Sequence, residues 1–269
     1  MSASKGTALV TGSSSGIGAV YADRLAKRGY DLILVARNES RLKELASRLS
    51  KETGRSITTL AADLNDKSAL AKVEAVLKDD PTITMLVNNA GVGSVVPLLQ
   101  ADVGKMEEMI DLNVTALTRL TYAAAPALVS RGKGTIINIS SIVGISPESL
   151  NGVYGASKAY VLALSHSLQH ELADKGVRIQ AVLPGATATE FWDIAGYPHQ
   201  NMPASIVMSA EDMVDASLVG LDNGELVTIP GLQDGDGWTK FEADRRTISS
   251  KFGHSVSAPR YRAAARQPA

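Results

Sequence analysis

The sequence predicts a three-layer α/β fold, in which helices cover both faces of a doubly wound parallel sheet of about seven strands. Short runs of apolar and β-branched residues alternate with longer segments of helical period along most of the chain. Most of the short runs are apolar throughout, which is typical of strands that are covered on both faces. An alternation of strand and helix also favours parallel pairing of the strands in one sheet.

Seven segments qualify as strands because each is short and rich in β-branched or aliphatic residues. They are Thr7–Val10, Asp31–Val35, Ile57–Ala61, Met85–Val87, Thr135–Ile139, Arg178–Val182 and Leu226–Ile229. The predicted helix over 39–51 illustrates the segments between them. Its Leu42, Leu45 and Leu49 recur at i, i+3 and i+7, so they form one buried stripe.

The composition limits the class of protein. The 269 residues are 45% hydrophobic and 20% charged, which fits one globular domain with a substantial core. A net charge of −1 without a sustained basic block argues against binding driven by nucleic-acid phosphates. The absence of cysteine excludes disulfides, thiolate metal sites and a cysteine nucleophile, and no other metal site is expected. No apolar segment is long enough to span a bilayer and the N-terminus lacks a signal-peptide run, so a cytoplasmic protein is expected.

A turn rich in glycine and serine, TGSSSGIG, follows the first predicted strand and precedes a helix. Gly12, Gly16 and Gly18 let a pyrophosphate approach the backbone N–H groups at the helix N-terminus, where the helix dipole favours negative charge. The spacing differs from the G-x-G-x-x-G of the general dinucleotide fingerprint, and a plain strand-to-helix turn is the alternative. The other cofactor-binding candidates in this turn are Ser14, Ser15 and Ile17.

The end of the second strand bears on which dinucleotide is bound. An acidic residue here usually holds the ribose 2′-OH of NAD, whereas an arginine accommodates the 2′-phosphate of NADP. The strand ends in Ala36 and Arg37 without a carboxylate. This favours NADP(H), although Glu39 is near enough to keep NAD(H) possible. The alternative is that Arg37 is a solvated surface charge.

Two later strand ends add cofactor-binding candidates. Asp63 and Leu64 follow the third strand and suit the edge and face of an adenine ring. The fourth strand leads into an NNAG turn, whose amides can tie neighbouring strands while its small residues leave room for a ribose. A turn without a ligand role is the alternative. The candidates in the NNAG turn are Asn89, Ala90 and Gly91.

Candidate catalytic residues follow the fifth strand. Ser140 and Ser141 stand at its carboxyl end, where ligands bind in open α/β sheets. Tyr154 and Lys158 come next, one helical turn apart. A nearby cation stabilises a phenolate, so Lys158 is expected to lower the tyrosine pKa from its usual value of about 10 and make Tyr154 a general acid or base. Lys158 can also reach the cofactor ribose. Taken alone, a tyrosine and a lysine at this spacing are more typical of a solvated helix surface.

The complete set of motifs resembles the short-chain dehydrogenase/reductase family, single-domain Rossmann-fold oxidoreductases that use NAD(P). The motifs are TGSSSGIG at 11–18, NNAG at 88–91, the serine pair at 140–141, YGASK at 154–158 and PG at 184–185. The resemblance runs from about residue 5 to 231. It implies an NAD(P)-binding domain over 1–231 that includes a variable substrate loop over 190–208, with 232–269 as a C-terminal extension of the same domain.

The resemblance also implies roles for individual residues. Ser141 stands thirteen residues before Tyr154, as the family's catalytic serine does, which makes Ser140 structural. Asn113 falls on the helix asparagine that relays protons through a water to Lys158. Without the resemblance, Asn113 is a polar residue on a helix flank. The implied nicotinamide contacts are Pro184, Gly185, Thr187 and Thr189.

The expected activity is the interconversion of a carbonyl and an alcohol by hydride transfer to or from NADP(H). A small-molecule substrate with an apolar part is expected, with no nucleic-acid or membrane partner, and family analogy implies a homodimer or homotetramer. The main alternative is a non-catalytic, NAD(P)-binding redox-sensing regulator on the same fold. A second alternative is a different Rossmann-like enzyme such as a methyltransferase.

The substrate loop is rich in apolar residues that suit an adaptable lid. The alternative is that these residues pack against the body of the protein or a neighbouring subunit. Glu190 and His199 are either substrate contacts or solvated. Beyond the loop, apolar side chains recur at roughly helical spacing in the extension, at Phe241, Ile248 and Phe252. The candidate lid residues are Phe191, Trp192, Ile194, Tyr197 and Met202.

Overall fold

The structure is a computed structural model that describes residues 4–262. Residues 263–269 of the predicted extension therefore lie outside the described part of the chain. The chain divides into two compact units, Met1–Gly231 and Leu232–Ala269, and each is described by itself.

The first unit contains one parallel sheet of seven strands in the order β3-β2-β1-β4-β5-β6-β7, which confirms the predicted fold class. Most strands extend one or two residues beyond their predicted bounds. The last strand is shorter than predicted because only two of its residues pair with the neighbouring strand. The strands are β1 (Thr7–Thr11), β2 (Asp31–Ala36), β3 (Ile57–Ala61), β4 (Ile83–Asn88), β5 (Gly134–Ile139), β6 (Val177–Val182) and β7 (Val227–Thr228).

Helices connect the strands, and a π-helical segment, Asp111–Ala116, lies between α4 and α5. The α-helices are α1 (Gly16–Lys27), α2 (Glu39–Thr53), α3 (Lys67–Asp79), α4 (Val103–Ile110), α5 (Leu117–Ser130), α6 (Gly152–Leu172), α7 (Phe191–Ala195), α8 (Ala210–Asn223) and α9 (Asp236–Ser249). Short 3₁₀ turns span Leu98–Gln100, Ile142–Gly144, Pro147–Ser149, Ala173–Lys175, His199–Asn201, Ala204–Ile206 and Pro259–Tyr261.

Two apolar clusters fill the space between the sheet and its two helical layers. Successive side chains of a strand point to opposite faces of the sheet. On β1, Val10 therefore joins the cluster that contains Tyr21 of α1. Its neighbour Leu9 joins the other cluster, which contains Leu120 of α5. The continuously apolar strands are thus covered on both faces, as the sequence predicts.

The strand order reverses direction at β1, which pairs with β2 on one side and β4 on the other. Connections that leave β1 and β4 move away from each other, so a crevice opens at the carboxyl ends of these strands. The glycine turn, the NNAG turn and the serine pair all follow strands of this sheet, and they therefore meet at one edge.

The second unit carries helix α9, in which no residue is buried. The rings of Trp238 and Phe241 stack with centroids 5.3 Å apart. The predicted stripe does not form as one helical face, because α9 ends at Ser249 and Phe252 lies beyond it. Throughout residues 4–262, the helices are too short or too polar to cross a membrane.

Candidate active site

The glycine turn leads into the N-terminus of α1, and its glycines have no side chains to cover the backbone N–H groups there. Ser15 occupies the N-cap position, but its side chain does not cap the helix. Gly12 and Gly16 adopt positive φ angles of 65° and 51°, a region that favours glycine. A Cβ on Gly12 would lie only 2.8 Å from the side-chain nitrogen of Asn89. The turn therefore fits a pyrophosphate that binds free N–H groups at a helix N-terminus.

The NNAG turn holds the glycine turn in place. The amide of Asn89 donates to the carbonyl oxygens of Thr11 and Gly12, at 2.9 and 3.2 Å. The Thr11 hydroxyl accepts from the backbone N–H groups of Asn89 and Ala90, both at 3.0 Å. These hydrogen bonds hold the carboxyl ends of β1 and β4 together. Thr11 begins the TGSSSGIG motif, but its role as a hydrogen-bond acceptor could not be predicted from the motif alone.

The adenosine candidates stand at the ends of β2 and β3, which are neighbours in the sheet. Arg37 directly follows β2 and is exposed, and Asn38 caps α2 by accepting from the N–H of Arg41 at 3.0 Å. Asp63 is exposed, and Leu64 beside it is buried. A cation, a carboxylate and an apolar side chain are thus available on one side of the crevice, which fits a 2′-phosphorylated adenosine.

Tyr154 and Lys158 lie in the first turns of α6, and both are only 6% exposed. The Lys158 ammonium nitrogen Nζ lies 5.8 Å from the centre of the tyrosine ring and donates to the carbonyl oxygen of Ile139 at 2.9 Å. The Ser140 hydroxyl donates to the backbone oxygen of Lys158 at 2.7 Å. Ser140 therefore joins the end of β5 to α6, and the two titratable side chains share one buried environment rather than a solvated surface.

Burial controls the titration of both groups. It raises the pKa of Tyr154 to about 12, although a hydrogen bond with Ser141 acts in the opposite direction. It also lowers the pKa of Lys158 to about 8. The expected lowering of the tyrosine pKa is therefore wrong for the protein's own groups, because loss of solvation raises this pKa. Tyr154 is consequently a phenol at neutral pH.

Ser141 stands where β5 ends and caps the following 3₁₀ turn. Its oxygen accepts from the N–H of Val143 at 3.3 Å, and its hydroxyl donates to the carbonyl oxygen of Pro184 at 3.3 Å. It is 8% exposed, and interaction with its side chain acts to lower the pKa of Tyr154. The serine and tyrosine side chains therefore belong to the same buried site.

Asn113 lies in the π-helical segment and is 1% exposed. Its amide nitrogen donates to the carbonyl oxygen of Val92 at 2.8 Å and to the Ser157 hydroxyl oxygen at 3.1 Å. Its oxygen accepts from the N–H of Val92 at 3.0 Å. The π segment is an irregularity that is common at functional sites, and here it brings a buried amide from the α4–α5 helix to α6.

The segment after β6 returns to the glycine turn. The Thr187 hydroxyl donates to the carbonyl oxygen of Gly185 at 3.2 Å, and Thr187 pairs with Met208 in an isolated parallel bridge. Thr189 packs against the glycine turn, since a Cβ on Gly16 would lie 3.1 Å from its methyl carbon. Of the four predicted nicotinamide residues, Thr189 therefore lies beside the glycine turn and Pro184 contacts Ser141.

Some residues of the substrate loop face the site, as expected of a lid, and others pack against the body of the unit. Phe191 faces the site, with its ring centre 5.7 Å from that of Tyr154. Trp192 packs into the body of the unit, where it is 8% exposed and donates its ring N–H to the carbonyl oxygen of Thr187 at 3.0 Å. Ile194 and Tyr197 are exposed instead, at 65% and 43%. The structure thus brings one predicted lid residue, Phe191, close to the ring of Tyr154.

The polar candidates of the substrate loop are Glu190 and His199. Glu190 forms an ion pair with Arg41 at 2.7 Å, and hydrogen bonding to Arg41 lowers the pKa of its carboxyl group. His199 is half-buried, and Met202 nearby is half-buried as well. The Glu190 carboxylate is therefore paired with a side chain of helix α2.

One wall of the site is apolar. A small cluster of buried Met109, Val143 and Tyr154 forms its centre. Five partly buried side chains pack on this cluster, and they are Val92, Met106, Leu150, Val153 and Phe191. Within residues 4–262, no group of three or more His, Asp or Glu side chains is placed to hold a metal ion. The arrangement can therefore supply a proton donor, an oxygen-binding serine and an apolar surface.

Comparisons with known proteins agree with this geometry. Residues 6–195 match the family described as short chain dehydrogenase. A short-chain dehydrogenase from Sphingobium yanoikuyae, solved in complex with NADPH, is 47% identical with a TM-score of 0.93, and the match covers 96% of this chain and 100% of that chain. The bulky-bulky ketone specific alcohol dehydrogenase from Comamonas testosteroni is 43% identical with a TM-score of 0.88. That match covers 95% of this chain and 98% of that chain.

A relative with a different substrate is similar over a shorter span. The sulfoacetaldehyde reductase 2 of Chromohalobacter salexigens is 38% identical over 189 residues, which are 68% of this chain and 73% of that protein. The matched family spans β1 to α7 and includes every motif residue up to Thr189. The chain belongs to the short-chain dehydrogenase/reductase family.

Proposed function

We propose that the protein is an NADP(H)-dependent oxidoreductase that interconverts a carbonyl and an alcohol, with Tyr154 as the general acid or base. The observation that carries this proposal is the convergence of Tyr154, Ser141 and Lys158 in one buried site at the carboxyl edge of the sheet. The family and its relatives support the class of reaction, because the Sphingobium and Comamonas proteins are a dehydrogenase and an alcohol dehydrogenase.

The protein's own residues transfer the proton that the reaction requires. When bound, the nicotinamide supplies or accepts the hydride. In the reductive direction, the Tyr154 hydroxyl donates its proton to the carbonyl oxygen while the Ser141 hydroxyl holds that oxygen. A pKa of about 12 keeps Tyr154 protonated before the reaction. The Lys158 ammonium, with a pKa of about 8, is the stronger acid, so it can return a proton to the phenolate.

Several observations support NADP(H) as the cofactor. Arg37 stands exposed at the end of β2, where a 2′-phosphate is expected. Glu39, which kept NAD(H) possible, forms an ion pair with Lys43 at 2.6 Å and is less available to a ribose hydroxyl. The bound NADPH of the Sphingobium relative points to the same cofactor.

Replacing Arg37 by aspartate should shift preference from NADPH toward NADH by at least about tenfold, because a charge-assisted contact to the 2′-phosphate is lost. The ratio of the two dissociation constants, measured by fluorescence titration, checks this. Lys51→Asp makes the same change of charge at the far end of α2 and should leave the ratio unaltered. An unchanged ratio in the Arg37 variant would remove this residue from the phosphate site.

We propose a ketone or alcohol with bulky apolar substituents as the substrate. The apolar wall around Tyr154 favours such a molecule, and the Comamonas relative acts on bulky-bulky ketones. A screen of ketones and aldehydes with NADPH and NADH tests both the function and the substrate class. Nucleotide binding without turnover across the screen would instead indicate the redox-sensing regulator. By analogy with the family we also propose a homodimer or homotetramer, which sedimentation can test.

Replacing Phe191 by alanine should raise KM for a bulky aryl ketone by about tenfold while changing KM for a small ketone little, because the lost ring contacts only the larger molecule. Steady-state kinetics on a matched pair of ketones measures the difference. Phe252→Ala is a suitable control, since this ring is 73% exposed in the second unit. Equal effects on both ketones would place Phe191 outside the substrate wall.

A further inference from the structure

The first residue of the substrate loop is joined to a helix on the other side of the crevice. The Glu190 carboxylate pairs with the guanidinium of Arg41, with an oxygen-to-nitrogen distance of 2.7 Å. Arg41 lies in the first turn of α2, four residues after Arg37. Glu190 directly follows Thr189. The ion pair therefore connects the adenosine side of the crevice with the nicotinamide side.

This ion pair lies beside the glycine turn. Thr189 packs against the turn, since a Cβ on Gly16 would lie 3.1 Å from the threonine methyl carbon. Ser15, Thr189 and Glu190 line one surface cavity. Arg41 and, to a smaller extent, the Ser15 side chain act to lower the pKa of the Glu190 carboxyl group. The Arg41 and Glu190 side chains are 47% and 54% exposed, so the pair lies on the solvent side of the turn.

A dinucleotide bound to the candidate residues would extend past this pair. Its adenosine would lie near Arg37 and its nicotinamide near Thr189, which places the pyrophosphate between them at the glycine turn. The Arg41–Glu190 pair joins the same two sides of the crevice on the solvent side of that turn. It therefore closes the crevice across the pyrophosphate.

The rest of the loop has attachments of its own. Glu190 immediately precedes α7, and at the other end of this helix the Val95 N–H donates to the carbonyl oxygen of Ala195 at 3.2 Å. The Phe191 ring packs against Gly93, where an added Cβ would collide with it. Helix α7 therefore stays attached when the ion pair is broken, so variants of the pair test the contact at the glycine turn alone.

The charges of the pair allow two roles that can be told apart. A carboxylate beside a pyrophosphate repels it, and the Arg41 guanidinium offsets this repulsion. If charge were all that mattered, removing the charge of Glu190 would make the dinucleotide leave more slowly. If the pair holds the crevice closed, the same change would make the dinucleotide leave faster.

We propose that Arg41 and Glu190 form a clasp that closes over the pyrophosphate and retains the bound dinucleotide. The proposal rests on the proposed function, since it takes NADP(H) as the ligand. An exposed ion pair contributes little to the stability of a fold, so the clasp acts on the rate of cofactor release rather than on folding. It opens and closes again with each exchange of cofactor, as active-site lids do.

Stopped-flow displacement of bound NADPH by excess NADP⁺ measures the release rate of the full-length protein. We expect Arg41→Gln and Glu190→Gln each to raise the rate constant by about threefold, which one exposed ion pair can supply. The double variant should release NADPH no faster than the faster single variant, because both substitutions remove the same contact. These differences from the parent should disappear at about 1 M salt, where exposed charges are screened.

Two neighbouring charges supply matched controls. Lys43→Gln removes a cation of α2 that pairs with Glu39 of the same helix at 2.6 Å. Asp193→Asn removes an exposed carboxylate of α7, three residues after Glu190. Both substitutions leave the clasp intact, so both variants should keep the parent release rate.

Three results would overturn the proposal. Slower release in Glu190→Gln would show that the carboxylate acts only by repelling the phosphates. Parent release rates in both single variants would show that the pair does not retain the cofactor. Increases that add in the double variant would assign separate contacts to Arg41 and Glu190.

The release rate is measured without turnover, so its outcome is independent of the ketone screen. A protein that shows the expected release rates but reduces no ketone would reject the proposed function and support the clasp. A protein that reduces ketones, with unchanged release in both variants, would reject the clasp and support the proposed function. Failure of the parent to bind NADPH would reject both.

Discussion

Replacing Tyr154 by phenylalanine should lower the rate of ketone reduction by at least about a hundredfold, the scale of a lost general acid. The ring and its contact with Phe191 remain, with the centroids 5.7 Å apart in the parent, so only the proton donor is removed. A pKa raised to about 12 means that the parent hydroxyl carries its proton throughout the neutral range. Single-turnover measurement of NADPH oxidation checks the effect on the chemical step.

A tyrosine on the same helix supplies the control. Tyr160 is 38% exposed, and its hydroxyl lies 2.9 Å from that of Thr118, so Tyr160→Phe removes a similar group away from the site. It should retain the parent rate, and both variants should bind NADPH. Near-normal turnover in Tyr154→Phe would show that the acid is another group.

Replacing Lys158 by methionine should also lower the rate by at least about a hundredfold, because the buried ammonium that we propose as the proton source for Tyr154 is lost. Methionine keeps the length of the side chain and suits an apolar environment. Ser140 bonds to the backbone of Lys158 rather than to its side chain, so the attachment of α6 to β5 should persist. The exposed Lys72 of α3 offers the control variant Lys72→Met.

The Lys158 variant should also change the pH dependence of the reaction. Burial lowers the pKa of Lys158 to about 8, so the parent holds the ammonium below this pH and loses it above. We therefore expect kcat/KM for reduction to fall as pH rises through about 8, since this parameter reports groups of the free enzyme. The pH profile of Lys158→Met should lack this fall. A parent profile that stays flat from pH 6 to about 10 would contradict the assignment.

The same shift has a consequence for stability, and its sign follows from linkage. The folded pKa of about 8 lies below the ordinary lysine value of 10.5. Between these two pH values the unfolded chain binds more protons than the folded chain, so this group makes the free energy of unfolding rise with pH across that window. Lys158→Met removes this rise, which denaturant titrations at pH 8 and at about pH 10 can detect.

The fold was largely predictable because the hydrophobic period reflects burial directly. Strands such as β1 and β5 are buried along most of their length and largely apolar, and the leucines of α2 mark its buried face. Element ends were less predictable. The last strand contains only the two residues that pair with β6, and α9 ends before Phe252. Such ends depend on contacts with neighbouring segments and not on local composition.

The site was predictable only where residues lie close in sequence or carry a family motif. Tyr154 and Lys158 face the same way because they are one helical turn apart. Asn113 was placed by resemblance, since its three side-chain hydrogen bonds to Val92 and Ser157 join residues far apart in the chain. Ser157, within the YGASK motif, was passed over because nothing local distinguishes it from other serines of α6.

The sequence by itself determined the parallel sheet, the bare glycine turn and the pairing of a tyrosine with a lysine, because each depends on residue type and short-range spacing. Only the tertiary structure decided the direction of the Tyr154 and Lys158 pKa shifts, the burial of Trp192 and the orientation of the Asn113 amide. Solvation and hydrogen bonding depend on which distant segments enclose a group, and that enclosure exists only after the chain has folded.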